Sequence, residues 1–502
     1  METVVQTRYG RVRGASRDGV AAFLGIPYAA PPFGADRFGA PRPPEPWDGV
    51  RDALEFGPTA PKPGYPKPYD MLLPDPEIPG EDCLNLNVWT PLPGGTGGAT
   101  PLNGETPSPG SAERLPVMVW IHGGAFRNGS GAVSAYNGAN FARDGVVCVT
   151  INYRLGVEGF AYLPGAPANR GLRDQIAALE WVRDNIAAFG GDPGRVTVFG
   201  ESAGGMSVST LLSLDLGLFH RAIAQSGAGS VAQTPEDALL VTGEMAARLG
   251  IEPTAEAFAK LDPAEIIPVQ SAVAAEVSAL PDPGRWGATT AASAMALTPV
   301  LDGELLARRP EDAVAAGAGR DVDLLIGYTA EEFRLFLMPT GLAAALTHDL
   351  VGAVATGMGT RPEVVTAYRD AHPEMSAGEL LATLITDGLF RIPANRLAER
   401  HGGSTWMYEF AWRSPNHDLG ACHALELGFV FDNLNAEGTG ELSGPNPPQE
   451  LADAMHRAWV DFAAHGDPGW ERFDAASRPV KVFDGAGNPV AADPRGADRA
   501  RW

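Results

Sequence analysis

Ser202 is the residue whose surroundings first indicate chemistry. It lies in FGESAGG, residues 199–205, where Gly200 and Gly204 flank it at the spacing G-x-S-x-G. A serine at this spacing can be the nucleophile of acyl transfer when it projects from a strained turn between a strand and a helix. Glycine makes up 61 of the 502 residues, so the spacing also fits a small residue in a glycine-rich turn. The neighbouring segments must decide between these interpretations.

Acyl transfer by a serine also needs a base, an acid that orients the base, and donors for the oxyanion. The N–H of Ala203, at the start of the helix expected after the serine, is one such donor. Gly123 and Gly124 in WIHGGAF, residues 120–126, directly follow an apolar run and can supply another. Two glycines after a strand usually indicate a plain turn, but their position upstream of GESAG favours an oxyanion loop.

The elements that must position these residues are predicted from the spacing of apolar side chains. Residues 169–191 have helical spacing and end in Gly190, Gly191 and Pro193, which predicts a helix with a stop signal. Short runs rich in β-branched residues predict strands at 114–122, 145–153, 194–200, 321–329, 404–412 and 480–484. The alternation predicts an α/β fold with a mostly parallel central sheet that helices cover on both faces.

Two other segments differ from this alternation. Residues 91–113 are full of Gly, Pro, Thr and Ser and predict a flexible surface loop, because strand pattern resumes at once. Residues 235–296 are helix-rich and are predicted to be an insertion that covers the site. A length of 502 residues would fit about three average domains, but α/β folds with large insertions exceed that guide, and we expect residues 1–502 to form a single domain.

Composition restricts the partners and the compartment. The formal net charge of −23 opposes binding to nucleic acid or to an anionic membrane. No apolar run is long enough to span a bilayer, so no integral membrane contact is expected. The N-terminal METVVQTRYGRVRG lacks the pattern of a secretory signal, which favours the cytoplasm, although a mature form without its leader would have the same pattern. Cys83, Cys148 and Cys422 are too few and too scattered for a disulfide scaffold or a zinc site, so free thiols and no metal are expected.

Several long blocks resemble the type-B carboxylesterase/lipase family of the α/β-hydrolase fold, and the resemblance covers nearly the whole chain. FGGDPGRVTVFGESAG (189–204) is similar to the family's nucleophile signature and EDCLNLNVWTP (81–91) to its second signature. Further similar blocks lie at 23–38, 169–182 and 218–228. The likeness is to bacterial carboxylesterases of the p-nitrobenzyl esterase type. It implies a serine esterase that needs no cofactor.

The resemblance also implies the other two members of a catalytic triad. The family places a glutamate in a block G-x-x-x-D-E-G, and GYTAEEF (327–333) matches it with Glu332 as the acid and Glu331 as the rival. Phe333 stands where the family usually has glycine. GACHALELGFVF (420–431) resembles the histidine block and implies His423 as the base.

Other matches imply supporting roles. The resemblance assigns these to Ser226, Glu426 and Glu201, and it pairs Arg37 with Glu81 to tie an N-terminal loop to the sheet. His122 is expected to shape the oxyanion loop by hydrogen bonding.

The resemblance implies two-step hydrolysis of carboxylic esters through an acyl-enzyme intermediate. Cholinesterases of the family hold a cation against a tryptophan, whereas the corresponding segment here reads YDMLLPDPEIPG (69–80). Leucine or methionine there favours a neutral ester with a short- to medium-chain or aromatic part. Two alternatives stay open: a non-catalytic binding module of the same fold, and an amide or carbamate hydrolase with the same triad. A monomer is favoured.

Overall fold

The computed structural model describes residues 2–91 and 114–502, in which thirteen strands form one sheet. The strands are β1 (Glu2–Gln6), β2 (Arg11–Arg17), β3 (Val20–Pro27), β4 (Val50–Asp52), β5 (Asn85–Pro91), β6 (Leu115–Ile121), β7 (Val147–Ile151), β8 (Gly191–Glu201), β9 (Arg221–Gln225), β10 (Asp323–Thr329), β11 (Thr405–Phe410), β12 (Pro479–Phe483) and β13 (Val490–Ala492).

The strand order is β1-β2-β3-β5-β7-β6-β8-β9-β10-β11-β12-β13, and β4 pairs with β2. The strands from β7 to β12 in this order are parallel, whereas β1, β2, β3 and β5 and the last strand, β13, are antiparallel to their neighbours along it. Every residue of β7 and β11 is buried, which is typical of parallel strands covered on both faces. The predicted mostly parallel central sheet is confirmed.

Helices cover the sheet and its carboxyl edge. They are α1 (Ala139–Arg143), α2 (Gly156–Phe160), α3 (Arg170–Asn185), α4 (Ala203–Leu212), α5 (Pro235–Leu249), α6 (Ala255–Phe258), α7 (Pro263–Ala279), α8 (Pro283–Trp286), α9 (Ala288–Ser293), α10 (Pro310–Ala315), α11 (Arg334–Leu337), α12 (His348–Gly357), α13 (Pro362–Ala371), α14 (Ala377–Ile385), α15 (Ile392–Arg400), α16 (Leu427–Val430), α17 (Gly440–Ser443), α18 (Gln449–His465) and α19 (Gly496–Arg499). In the described part of the chain, no helix has both the length and the apolarity needed to cross a membrane.

All six strands predicted from apolar runs are present. The helix predicted over 169–191 is shorter, because α3 ends at Asn185 and continues as a 3-10 turn, Ile186–Phe189. Gly190 then takes a φ of 85°, which ends the helix, and β8 begins at Gly191. The loop predicted over 91–113 lies, apart from Pro91, outside the described residues.

Two helical segments lie beside the parallel strands. Residues 235–296 contain α5 to α9, and residues 334–400 contain α11 to α15. The second segment packs around an apolar cluster of its own that includes Val351, Tyr368 and Leu384. The three cysteines are free and buried within the fold.

Candidate active site

The turn around Ser202 joins the end of β8 to the start of α4. Ser202 has a φ of 58° and a ψ of −123°, a strained conformation for a residue with a side chain. A Cβ at Gly204 would collide with the carbonyl oxygen of Ile121, and one at Gly200 would lie 2.6 Å from the same oxygen. The flanking glycines therefore let the serine turn pack against the end of β6.

The loop after β6 lies directly against the serine. A Cβ at Gly123 would lie 2.8 Å from the carbonyl oxygen of Glu201 and 3.0 Å from the Cβ of Ser202. Gly124 has a φ of 113°, and a Cβ there would collide with the backbone of Asn128. Side chains are thus excluded where the backbone of this loop approaches Ser202.

Three backbone N–H groups are left open beside Ser202. Ala203 is the first residue of α4, so its N–H has no partner within the helix. Within residues 2–91 and 114–502, no backbone acceptor takes the N–H of Gly123 or Gly124. These are the donors that the sequence predicted for an oxyanion hole.

His122 holds the shape of this loop, as the sequence predicted. Its Nδ1 lies 2.8 Å from the carbonyl oxygen of Gly123, and its ring stacks on Tyr153 with centroids 4.4 Å apart. Burial lowers the pKa of His122 to about 4, so the ring is neutral near pH 7 and its Nδ1–H donates to Gly123. The hydroxyl of Tyr153 donates to the carbonyl of His122 over 2.7 Å.

His423 and Glu332 form a buried hydrogen-bonded pair. Nδ1 of His423 lies 2.6 Å from Oε2 of Glu332, whose Oε1 accepts from the N–H of Thr329 over 2.8 Å. Glu332 is 0% exposed. Glu331 faces elsewhere, because it accepts from the N–H of Ala421 over 2.9 Å and from the guanidinium of Arg413. The geometry therefore brings Glu332, and not Glu331, to the histidine.

Glu201 is a buried residue that lies against the histidine and borders the same cavity. Nε2 of His423 is 3.0 Å from Oε1 of Glu201, and burial, followed by the charge of Glu332, raises the pKa of Glu201 well above its usual range. In the described part of the chain no hydrogen bond joins Ser202 to His423, although both side chains line one cavity. Such bonds are often long in unliganded enzymes and shorten when substrate binds.

Two further residues that the sequence predicted to have supporting roles, Glu426 and Ser226, are buried. Oε1 of Glu426 accepts from Nε2 of Gln225 over 3.2 Å, and burial, then Glu201 and Glu332, raise the pKa of Glu426 to about 8. Ser226 is buried with a φ of 47°, and its N–H donates to Gly327 over 2.9 Å. Burial, together with the charges of neighbouring carboxyl groups, therefore favours the neutral forms of Glu201 and Glu426.

The pairing of Arg37 with Glu81 is wrong. Arg37 instead lies 2.6 Å from Glu158 of α2, and both side chains are almost fully buried. Glu81 is exposed. A buried carboxylate stabilises a buried guanidinium, and α2 presents one beside the 3-10 turn at 34–36 that precedes Arg37. The arginine still ties the N-terminal loop to the rest of the fold, but through a different element.

The cavity that contains Ser202 and His423 has a volume of about 740 Å³ and a mostly apolar lining. That size is typical of sites for small organic ligands, which span roughly 300–1,000 Å³. Leu72 and Leu73 line it, as predicted from the segment 69–80, whereas Met71 is 58% exposed and does not. Most of the rest of the lining comes from residues 65–74 and 123–136, from α7 with 293–297, and from the stretches 333–358, 381–390 and 424–443.

The second helical segment was not predicted to line the site. Its signal was present, because apolar residues of α12 and α14 recur at helical spacing. Nothing in that spacing indicates which cavity such a helix will border. Among the described residues, no cluster of His, Cys, Asp and Glu could hold a metal ion.

Comparison with known proteins gives consistent matches along the whole chain. The profile of the carboxylesterase family matches residues 1–484. The chain is 38% identical to para-nitrobenzyl esterase of Bacillus subtilis (strain 168), covering 96% of this chain and 94% of that relative. It is 33% identical to phenmedipham hydrolase of Pseudarthrobacter oxydans, covering 98% and 97%.

Solved structures agree with these matches. The crystal structure of the Geobacillus stearothermophilus carboxylesterase EST55 at pH 6.2 covers 100% of both chains with a TM-score of 0.83 and 36% sequence identity. A structure of PNB esterase covers 100% of this chain and 100% of its own with a TM-score of 0.81 and 34% identity. The α/β-hydrolase fold predicted from the sequence is confirmed.

Proposed function

This chain belongs to the carboxylesterase family, and from that premise we propose that Ser202, His423 and Glu332 carry out its hydrolysis of carboxylic esters. The observation that carries the assignment is the 2.6 Å hydrogen bond between His423 and Glu332 on the cavity that Ser202 lines. The family relation does not favour a binding module without activity.

The reaction has two steps. His423 takes the proton of Ser202 at Nε2 while the serine oxygen attacks the ester carbonyl, and Glu332 stabilises the imidazolium through Nδ1–H. The N–H groups of Gly123, Gly124 and Ala203 donate to the oxyanion. The alcohol leaves with the proton from His423, and water then releases the acid by the same route.

Glu201, Glu426 and Ser226 support this centre, and of the three Glu201 lies against Nε2 of His423. The raised pKa of Glu201 favours its protonated form, which cannot take another proton, so the proton of Ser202 goes to Nε2 of His423. Glu426 and Ser226 are buried, and their hydrogen bonds with Gln225 and Gly327 connect them to strands of the central sheet.

The size and lining of the cavity fit esters with a short- to medium-chain or aromatic part. Its volume of about 740 Å³ exceeds the space that an acetyl group fills, and Leu72, Phe336 and Phe390 offer an apolar surface to a longer chain or a ring.

The test is hydrolysis of p-nitrophenyl esters from acetate to decanoate by wild type and Ser202→Ala protein. Turnover should fall on the order of a million-fold in the variant, and labelling by a fluorophosphonate should disappear. Ser477→Ala is the matched control, since Ser477 is exposed and does not line the cavity. Wild-type levels of hydrolysis in Ser202→Ala protein would contradict the assignment.

We also propose that the protein acts as a monomer in the cytoplasm. A net charge of −23 opposes self-association, and three buried free thiols fit a reducing compartment. Light scattering on a sizing column should give the mass of one chain, and cell fractionation should place the activity with cytoplasmic markers.

A further inference from the structure

A cation without a partner lies on the cavity wall beside the oxyanion loop. Arg127 follows Gly124 by three residues in a tight turn, where its N–H donates to the carbonyl of Gly124 over 3.0 Å. Its partly buried side chain lines the cavity, and in residues 2–91 and 114–502 no acceptor takes a hydrogen bond from its guanidinium. Other buried guanidinium groups are satisfied: Arg37 pairs with Glu158, Arg154 with Asp174 and Arg391 with Asp387. Arg170 is fully buried without a carboxylate partner, but its guanidinium donates to four backbone carbonyl groups.

Tyr65 provides a second open donor next to this guanidinium. Its side chain lines the same cavity, and in the part of the chain that the structure describes its hydroxyl has no hydrogen-bond partner. Burial raises the pKa of Tyr65, Asp75 and Glu201 raise it further, and Arg127 lowers it, which is expected for a phenol close to all three groups.

The nearby carboxylate of Asp75 is already engaged. It forms an ion pair with Lys62 and accepts from the N–H of Gly129 over 3.2 Å and from Nδ2 of Asn128 over 3.0 Å. The carboxylate of Asp75 therefore binds a neighbouring loop and a buried lysine. The guanidinium of Arg127 stays open to the cavity.

The rest of the cavity wall carries no compensating anion among the described residues. Besides Arg127, the ionisable side chains that line it are Tyr65, Tyr69, Tyr136, Glu201 and His423. Glu201 is the single carboxyl group among these described lining residues; it faces His423, and its raised pKa favours the neutral form. A guanidinium partly removed from water without a counter-ion is costly, and an anion that enters the cavity removes that cost.

We propose that Arg127 and Tyr65 form a carboxylate-binding subsite, so that the enzyme favours esters that carry a free carboxylate elsewhere in the molecule. This proposal rests on the esterase function proposed above. The guanidinium donates to both carboxylate oxygens and the Tyr65 hydroxyl to one of them, while apolar walls hold the body of the ester. The segment 69–80 led us to expect a neutral ester. With this subsite, that expectation applies only to the part of the substrate that contacts the apolar walls.

The overall charge of −23 does not decide this preference. Charges farther than about 8 Å from the subsite are screened at physiological ionic strength, whereas a contact with a partly buried guanidinium is screened far less. The preference for a carboxylate ester therefore depends on the contact with Arg127 at the cavity wall.

The test uses pairs of esters that differ in charge and hardly in size. One pair is 4-acetoxybenzoate and 4-acetoxybenzamide, with the carboxylate on the alcohol part; the other is monoethyl glutarate and ethyl glutaramate, with it on the acyl part. Wild-type protein should prefer the carboxylate in at least one pair. Arg127→Met should lower kcat/KM for the preferred carboxylate ester about ten- to a hundred-fold, mainly by raising KM. The same substitution should change kcat/KM for the matching amide by less than about threefold.

Three further variants sharpen the result. Arg127→Lys keeps the charge without the bidentate geometry and should lose less than Arg127→Met. Tyr65→Phe should lose about three- to tenfold on the carboxylate ester. Arg369→Met, which removes an exposed arginine away from the cavity, should leave both esters unchanged. Thermal unfolding of each variant separates an effect on folding from an effect on binding.

Inhibition gives a readout that does not depend on which ester is turned over. Benzoate should inhibit wild-type hydrolysis of p-nitrophenyl acetate more strongly than benzamide does, and Arg127→Met should remove the difference. Equal losses on both members of each pair, or weaker inhibition by benzoate than by benzamide in wild type, overturn the subsite. A wild-type protein that hydrolyses none of these esters contradicts the esterase function instead.

Discussion

Gly124 is the single residue on which the shape of the oxyanion loop depends most directly. Its φ of 113° and its contact with the backbone of Asn128 leave no room for a Cβ. Gly124→Ala must move the loop and misalign the N–H groups of Gly123 and Gly124. We expect kcat to fall about a hundredfold or more with a smaller change in KM. Steady-state kinetics on p-nitrophenyl butyrate measures both constants.

Gly243→Ala is the control for that substitution. Gly243 lies within α5, and an added Cβ there meets no atom within 4 Å. Alanine should leave the kinetics unchanged and slightly stabilise the helix. Unchanged kcat in Gly124→Ala protein would contradict the assignment of the loop.

Glu426 makes the stability of the protein depend on pH. Its pKa is raised from 4.5 to about 8, first by burial, so between these values the folded protein holds a proton that the unfolded chain releases. The stability associated with Glu426 is full below pH 4.5 and is lost as pH rises toward 8. Glu426→Gln removes this loss. The free energy of unfolding of the variant, relative to that of wild type, should therefore rise by on the order of 1 kcal/mol per pH unit between about pH 5 and 8.

Denaturant titrations at several pH values measure this gain. Glu437→Gln is the matched control, because Glu437 is exposed, and it should follow wild type at every pH. A difference between Glu426→Gln and wild type that stays constant from pH 5 to 8 would show that Glu426 is ionised in the folded protein.

The sequence predicted some residues of the candidate site and missed others, and both outcomes have physical reasons. Ser202 and the donors Gly123 and Ala203 follow from local spacing, because a strand, a turn and a helix are contiguous in the chain. His423 and Glu332 are 91 residues apart, so only resemblance to known proteins joined them. Arg127 gave no signal, since an unpaired cation is defined by the absence of neighbours that only the fold reveals.

At the scale of elements, the N-terminal loop is held to α2 by one buried ion pair. Glu158→Gln leaves the guanidinium of Arg37 without its counter-ion, and we expect the free energy of unfolding to fall by about 3 kcal/mol. Glu81→Gln, at the partner that the sequence suggested, should change it by less than about 0.5 kcal/mol. Guanidinium titration of both variants measures their free energies of unfolding. A larger loss of stability in Glu81→Gln than in Glu158→Gln would favour the pairing of Arg37 with Glu81.

Six strands of the sheet were predictable because they are compact apolar runs, as in β6 and β7, whereas β5 and β9 were not predicted. The strands β1 to β4 were not predicted either, since their burial is partial and Gly or Pro follows most of them closely. Such short strands gain their stability from neighbours in the sheet, and this contribution does not appear in a local pattern.

At the scale of the whole molecule, strands from both ends of the chain share one sheet. We propose that residues 1–502 form a single domain in which residues 235–296 are an insertion that helps to cover the site. Because α7 lines the cavity and the sheet runs from β1 to β13, loss of esterase activity and loss of near-ultraviolet circular dichroism should coincide on heating. Activity that disappears in a separate, earlier transition would indicate that a helical segment unfolds on its own.

The order of the active-site residues along the chain also has a consequence for protein synthesis. The oxyanion glycines and Ser202 are translated first, Glu332 follows, and His423 comes late, with α18 still later. On the proposed assignment, the nascent chain has its nucleophile but no base to activate it while the ribosome is still making the segment between Ser202 and His423. The esterase is therefore silent throughout most of its own translation, and cellular esters meet a reactive serine only after nearly the whole polypeptide has been made.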